Sequence, residues 1–167
     1  MGPADGMIAV RLRRRGLTMR FTSITRLRLR SRRFLPGFAF HTWRSMRQAW
    51  HAAGFRSGAI LADRELTFWT MTLWQGEADM RRYMGAGAHR TAMPTLARWC
   101  DEASVVHWTV DAAPDWPEAE RRMRRAGRPS KVRHPSPRHA DLAFDPLDTA
   151  RAARALRIAP AGRPDTA

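Results

Sequence analysis

The sequence predicts an α+β fold in which an antiparallel sheet carries its helices on one face. Two observations support this prediction: apolar residues alternate with a period of two in four segments, and two other segments show helical spacing with glycines at their ends. Their order along the chain is strand, helix, strand, strand, broken helix, strand. This is the split βαβ order of a ferredoxin-like βαββαβ fold.

The first predicted strand and helix lie within residues 17–53. Residues 17–30 alternate apolar side chains with arginines, which indicates a half-buried strand with the arginines on its outer face. Residues 38–53 repeat apolar residues at helical spacing, and Gly54 is a typical glycine at a helix end.

Two further strands, residues 55–62 and 66–74, are predicted to form a hairpin. Side chains alternate along the second strand, with Trp69, Met71 and Leu73 on one face and Phe68, Thr70, Thr72 and Trp74 on the other. Both faces therefore look covered. Since helices cover only one face of such a sheet, we expect the other face to be buried by sheet-to-sheet dimerisation.

The broken helix contains the most distinctive corner of the chain. Glu77 and Asp79 suit the first turn of a helix, and glycines interrupt it at positions 85 and 87. The next helix is most simply capped by Thr91, which places His89 and Arg90 in the connector between two helices. A strand at residues 104–108 completes the sheet.

Composition limits the function classes. The chain of 167 residues carries a formal net charge of +15, but residues 36–111 hold eight arginines against seven acidic residues. Because the predicted domain is nearly neutral, we rank nucleic-acid binding last. No apolar run is long enough to cross a membrane, and the lone Cys100, interpreted as a small buried hydrophobe, fits a reducing cytoplasm.

The domain organisation follows from changes in composition. Residues 1–16 are a basic N-terminal extension, and Met1, Met7 or Met19 could each be the start. Residues 17–111 form the ferredoxin-like domain. Residues 112–139 supply a helix opened by Asp115 and a Pro-rich extended arm, and residues 140–167 are expected to be a disordered tail, with a transient helix at 148–158.

Several sequence stretches resemble a bacterial family related to spheroidene monooxygenase. They are TFWTMTLW at 67–74, GAHRTAMP at 87–94, WCDEASVVHW at 99–108 and GRPSKVRHP at 127–135. This family resembles the wider antibiotic-biosynthesis-monooxygenase group with its dimeric α+β barrel, and the resemblance covers residues 17–137. It implies a homodimer and a monooxygenase-like oxidoreductase acting on a hydrophobic, carotenoid-like small molecule in a pocket between helices and sheet.

The resemblance also implies a set of site residues. Some relatives bind haem through a helical histidine, and others oxygenate reactive substrates without a cofactor. In this sequence His89 is the candidate axial ligand and catalytic residue, and Arg90 could anchor a haem propionate. The chemistry of their side chains, rather than the resemblance, suggests that the rings of Trp43 and Trp69 could flank a flat ligand such as a polyene or porphyrin. A haem-dependent reaction would need a separate electron donor, because no flavin or nicotinamide fingerprint is present.

Other interpretations of the same residues stay open. His89 could cap the preceding helix, Arg90 could pair with Asp79, and tryptophans are most often core residues. Thr70 and Thr72 could bond a substrate oxygen, while His41 and His107 could line a pocket or be ordinary structural histidines. The alternative function is a non-catalytic dimeric module that binds a small molecule.

Overall fold

The computed structural model describes residues 19–160. Strands and helices follow in the order β1 (Arg20–Leu29), α1 (Leu35–Trp50), β2 (Phe55–Ala62), β3 (Thr67–Trp74), α2 (Glu77–Met84), α3 (Gly87–Trp99), β4 (Cys100–Val110), α4 (Trp116–Ala126), β5 (Arg128–Pro129), α5 (Thr149–Ala152) and β6 (Leu156–Ile158). A 3-10 turn, Arg32–Phe34, precedes α1. Within the described residues, no helix is both long and apolar enough to span a membrane.

The sheet has the strand order β5-β4-β1-β3-β2-β6, and every pairing is antiparallel. Its four central strands, β4-β1-β3-β2, have the ferredoxin-like order. The predicted α+β class and βαββαβ arrangement are thus confirmed. Two short strands contributed by the C-terminal part of the chain extend the sheet at its two edges.

Each face of the sheet has its own core. Helices α1, α2 and α3 cover the face that carries the odd-numbered residues of β1, which we call the helix face. The even-numbered residues of β1 point to the opposite face, where Ile24, Trp69 and Met71 pack with residues of α4 and of the C-terminal segment. Residues buried there include Ala119 and Met123 from α4, and Phe144 and Leu147 from the segment.

This arrangement corrects the predicted route to a dimer. The opposite face was expected to meet a second copy, but α4 and residues 142–155 of the same chain already occupy it. The homodimer stays a prediction, and it would need another surface.

The C-terminal segment also differs from the expected tail. Phe144, Leu147 and Ile158 are each at most 6% exposed, and β6 pairs with β2. Where a transient helix was expected at 148–158, a single turn capped by Asp148 is followed by this strand. These three apolar side chains explain why the segment is ordered, because they bury apolar surface against the sheet, which a purely polar tail could not do. The predicted extension at 1–16 and residues 161–167 lie outside the described residues.

The arginines of β1 are not all on a solvated face. Arg26 is 7% exposed and donates from Nη1 to Oε2 of Glu102 at 2.6 Å, and Glu102 is itself buried. Ser136 from the extended arm donates to the other oxygen of the same carboxylate, at 2.9 Å. The arm wraps the domain here and fixes a buried ion pair between β1 and β4.

Helix α3 begins earlier than predicted. Its first residue is Gly87, and Ala86 is the extended residue before it, so Thr91 lies inside the helix and donates to the carbonyl of Gly87 at 3.0 Å. The predicted cap at Thr91 is wrong. His89 and Arg90 therefore belong to the first turn of α3, and their directions are set by a helix rather than by a flexible connector.

Candidate functional site

A cavity of about 280 Å³ lies between the helix face of the sheet and the three helices above it. Its floor is a strip of hydroxyl side chains from β1 and β3. Its walls are mostly apolar and come from α1, α2 and α3. The lining includes Ser23, Thr25, Leu27, Phe38, His41, Thr42, Ser45, Met46, Ala49, Thr70, Thr72, Met80, Tyr83, Met84, His89, Ala92, Met93 and Leu96.

The hydroxyl strip results from strand register. Ser23 lies opposite Thr72 and Thr25 lies opposite Thr70, so four hydroxyls stand in two neighbouring rows of the same face. Thr72 is anchored, because its hydroxyl donates to the Ser23 carbonyl at 3.4 Å. The strip gives an otherwise apolar cavity a floor that can donate to, or accept from, one polar group of a ligand.

His89 is the titratable side chain placed where the α2–α3 corner meets the cavity. Its ring nitrogen Nδ1 lies 3.3 Å from the carbonyl oxygen of Met84, and its ring packs on Tyr83 with a centroid distance of 4.8 Å. Burial lowers the pKa of His89, while the Met84 carbonyl acts weakly in the opposite direction. A neutral ring that donates from Nδ1 to this carbonyl keeps the lone pair on Nε2 for a molecule in the cavity.

Gln48 of α1 holds the corner that presents His89. Its amide nitrogen donates to the carbonyls of Tyr83 and Ala86, both at 3.0 Å, and its oxygen accepts the backbone N–H of His89 at 2.9 Å. Gly87 sits against this amide with a φ of +54°, and a Cβ there would lie 2.9 Å from the Gln48 oxygen. Glycine is needed at this position for both conformation and space.

Tyr83 and His41 are two further polar side chains of the helices that line the cavity. The Tyr83 hydroxyl donates to the Ser45 carbonyl at 3.2 Å, and burial raises the pKa of Tyr83, so the phenol stays protonated. The His41 ring lines the cavity and packs on Trp99 with a centroid distance of 5.8 Å. Sequence reasoning named His41 but missed Gln48, which carried no signal beyond its polarity, and it treated Tyr83 only as part of an apolar helix side.

Of the four site residues predicted from the sequence, His89 alone lines the cavity. Arg90 is exposed on α3, and Asp79, its suggested partner, is paired with Arg82 instead. Trp43 is 47% exposed on the outer side of α1. Trp69 is 1% exposed on the opposite face of the sheet, where its ring meets Phe144 edge-on.

The side chains around His89 do not fit haem. The predicted propionate anchor Arg90 does not line the cavity, and neither do the tryptophans expected to flank the porphyrin. The cavity is also at the lower end of the range of about 300–1,000 Å³ that small-molecule pockets span.

Two further residues considered from sequence lie outside the cavity. His107 is on the helix face beyond the hydroxyl strip, 5.7 Å from the Phe21 ring, and its Nε2 has no hydrogen-bond partner among the described residues. Cys100 is fully buried, and burial raises the pKa of its thiol to about 12. Its thiol therefore stays protonated, as expected for a small buried hydrophobe.

Comparisons with known proteins show the fold. No protein-family model and no curated protein matches the chain. A conserved protein from Methanosarcina mazei Go1 aligns with a TM-score of 0.50 and 8% identity, over 55% of this chain and 93% of its own. A protein of unknown function from Nitrosomonas europaea aligns with a TM-score of 0.50 and 15% identity, over 59% of this chain and 96% of its own.

A third structure, described as an antibiotic biosynthesis monooxygenase from Nitrosomonas europaea, aligns with a TM-score of 0.48 and 19% identity, over 53% of this chain and 95% of its own. At such low sequence identities a structural alignment shows that the fold is shared, but not that the reaction is shared. The two alignments with a TM-score of 0.50 show that the fold expected from the sequence occurs in other proteins. None of these matches supports the narrower spheroidene monooxygenase-like family.

Proposed function

We propose that this protein is a monooxygenase-type oxidoreductase that binds a small apolar molecule in the helix-sheet cavity and uses His89 as its proton acceptor. The observation that carries the proposal is the placement of His89: a neutral imidazole, oriented by the Met84 carbonyl, borders a cavity whose other walls are mostly apolar. The resemblance of the GAHRTAMP stretch at 87–94 to an oxygenase family supports the same residue.

A histidine with a lowered pKa is a free base at neutral pH. Burial keeps the His89 ring unprotonated, and the bond from Nδ1 to Met84 fixes which nitrogen accepts. In the proposed reaction Nε2 takes a proton from an activated C–H of the substrate. The ring becomes an imidazolium whose Nδ1–H still bonds the Met84 carbonyl, so the corner does not have to rearrange.

Oxygen then reacts with the substrate carbanion itself. Dioxygen adds to the carbon and, after proton return from His89, gives a hydroperoxide; loss of water leaves a carbonyl group. An activated CH₂ and one O₂ thus become C=O and H₂O. The substrate supplies both hydrogens and all the electrons, so this reaction needs neither haem nor the separate electron donor.

The hydroxyl strip is proposed to hold the substrate oxygen that stabilises this carbanion. Thr25 and Thr70 lie opposite each other on β1 and β3, on the cavity floor. A hydroxyl that donates to a carbonyl or phenolate oxygen favours the delocalised anion. This requirement selects aromatic ketones and phenols with an acidic C–H. For a carotenoid-like substrate, a cavity of about 280 Å³ would accept only one end of the molecule.

The alternative is a binding module without catalysis. The same cavity, with its apolar walls and a polar floor, would hold a ligand whether or not His89 reacts. The two functions differ in oxygen uptake, since a binding module retains its ligand unchanged.

The test is oxygen uptake with a panel of aromatic ketones and phenols that carry an acidic C–H, in parallel with binding measured by isothermal titration calorimetry. We expect at least one compound to bind and to be oxygenated by the native chain. His89→Gln should bind it with similar affinity and lose turnover. Binding without oxygen uptake would favour the binding module, and uptake that survives His89→Gln would remove His89 from the mechanism.

A further inference from the structure

The outer side of α1 carries an exposed set of aromatic and cationic side chains that the cavity does not use. Phe40 is 53% exposed and Trp43 is 47% exposed. The guanidinium of Arg44 lies 5.6 Å from the Phe40 ring centroid, and that of Arg47 lies 5.1 Å from the Trp43 ring centroid. We call these four residues the α1 patch. Two large rings in solvent beside two cations mark an interaction surface.

The surroundings of the α1 patch are cationic. Residues 31–62 contain no Asp or Glu, and neither does α3. Arg32, Arg33, Arg90 and Arg98 are also exposed on elements of the helix layer. The two acids of α2, Glu77 and Asp79, are already paired with Arg81 and Arg82. The described helix layer therefore presents arginines without acidic partners on α1 and α3.

The cavity reaches solvent within the same helix layer. Met84 and Met93 line the cavity, and they are 37% and 39% exposed, so they mark one of its openings. Met93 belongs to α3, which packs directly against α1. The exposed methionines of the opening and the exposed rings of α1 therefore belong to the same helix layer.

We propose that the α1 patch docks this protein onto an anionic phospholipid surface, with the cavity opening at the bilayer. Aromatic rings favour the headgroup region, and arginines beside an anionic leaflet contribute about 1 kcal/mol each. Arginine side chains stacked along the rings can extend to phosphate while the rings enter the interface. The proposal depends on an apolar ligand entering the cavity, and not on the chemistry at His89.

The same features argue against single-stranded nucleic acid as the partner. Base stacking needs open ring faces, yet Arg44 and Arg47 lie over the rings of Phe40 and Trp43. The α1 patch also lies along one convex helix, whereas strand binders use a groove that follows the backbone.

The test is co-flotation of the full chain with two kinds of vesicle: phosphatidylcholine containing phosphatidylglycerol, and phosphatidylcholine alone. We expect binding to the anionic vesicles that weakens as salt is added. Arg44→Ser with Arg47→Ser should lower the partition coefficient roughly 30-fold, the effect of two arginines at an anionic surface. The double variant Phe40→Ser, Trp43→Ser should also lower the partition coefficient, both at low salt and at high salt.

The matched control is Arg121→Ser with Arg125→Ser. These arginines are exposed on α4, which covers the opposite face of the sheet, and their removal changes the net charge by the same amount. The control should bind as the native chain does. Equal loss in the control and in the α1 variants would overturn the proposal, and so would equal binding to both kinds of vesicle. Displacement from the vesicles by a single-stranded oligonucleotide that depends on Arg44 and Arg47 would assign the surface to nucleic acid instead.

Discussion

Arg26 and Glu102 form a buried ion pair that joins β1 to β4, with 2.6 Å between Nη1 and Oε2 and both side chains less than a tenth exposed. Breaking such a pair from one side leaves an uncompensated buried charge. Glu102→Gln is therefore expected to lower the free energy of unfolding by about 3–5 kcal/mol. Urea denaturation followed by circular dichroism measures this directly.

A surface pair provides the control for that measurement. Glu77 and Arg81 are also 2.6 Å apart, one turn from each other on α2, but both are largely exposed. Glu77→Gln should cost less than about 1 kcal/mol. If the two variants lose similar stability, the Arg26–Glu102 pair is not the structural anchor described here.

Phe144 is the anchor of the C-terminal segment on the sheet. It is 5% exposed, meets Trp69 edge-on at 5.5 Å, and lies beneath the guanidinium of Arg26 at 4.5 Å. Phe144→Ala should cost about 3–5 kcal/mol and expose the opposite face of the sheet. Phe40→Ala, at an exposed position, should change stability by less than about 0.5 kcal/mol. An equally small effect at Phe144 would mean that the segment does not cover the sheet in solution.

His107 makes stability depend on pH below neutrality. Burial and, to a lesser degree, Arg128 and Arg81 lower its pKa in the folded state, while Glu77 raises it. The unfolded chain binds a proton near pH 6.5 and the folded chain binds it only at lower pH, so stability falls as pH drops from 6.5 towards the folded pKa. His89 contributes with the same sign, because its pKa is also lowered.

Urea midpoints measured across this window test the effect. His107→Gln should show a smaller loss of stability on acidification than the native chain, and the contribution of His89 should persist in this variant. An unchanged pH slope in His107→Gln would show that His107 is not held neutral by its surroundings.

Gln48 is expected to act as a positioning residue for His89. Gln48→Leu removes three hydrogen bonds at the corner between α2 and α3. The backbone amide of His89 should then exchange its hydrogen faster, and turnover should fall more than ligand affinity. Gln75→Leu, which loses one exposed bond from Arg56, is the control. Slow exchange at His89 in Gln48→Leu would show that the corner holds without this amide.

Local signals in the sequence predicted much of the fold. Alternation along 66–74 separated Thr70 and Thr72 from Trp69, because side chains in a strand alternate regardless of context. It did not indicate which face borders the cavity, and Trp69, suggested as a residue that flanks a ligand, lies on the other face. Asp115 before Pro117 marked the start of α4, and its side chain does cap the helix by accepting from the Glu118 N–H at 2.7 Å.

Contacts between distant residues account for what the sequence did not predict. The start of α3 depends on Gln48, which lies 41 residues before His89, so local capping rules favoured Thr91 instead. The cover over the opposite face depends on few apolar anchors, Phe144 and Leu147 among them, within a segment of tail-like composition. The role suggested for Arg90 rested on motif resemblance, and the role suggested for Trp43 rested on the chemistry of its ring. The exposure of both side chains follows from helix phases that neither signal specifies.

In the proposed function, His89 is a neutral base that faces a ligand in the helix-sheet cavity. The most direct measurement is NMR of the chain with ¹⁵N-labelled histidine rings, assigned with His89→Gln and titrated with a binding compound from the oxygenation panel. We predict a neutral ring protonated on Nδ1, a pKa below 6.5, and a shift of the Nε2 resonance on ligand addition. If the ring is protonated at neutral pH, or if the Nε2 resonance does not shift when a ligand binds, His89 is not a neutral base at this site.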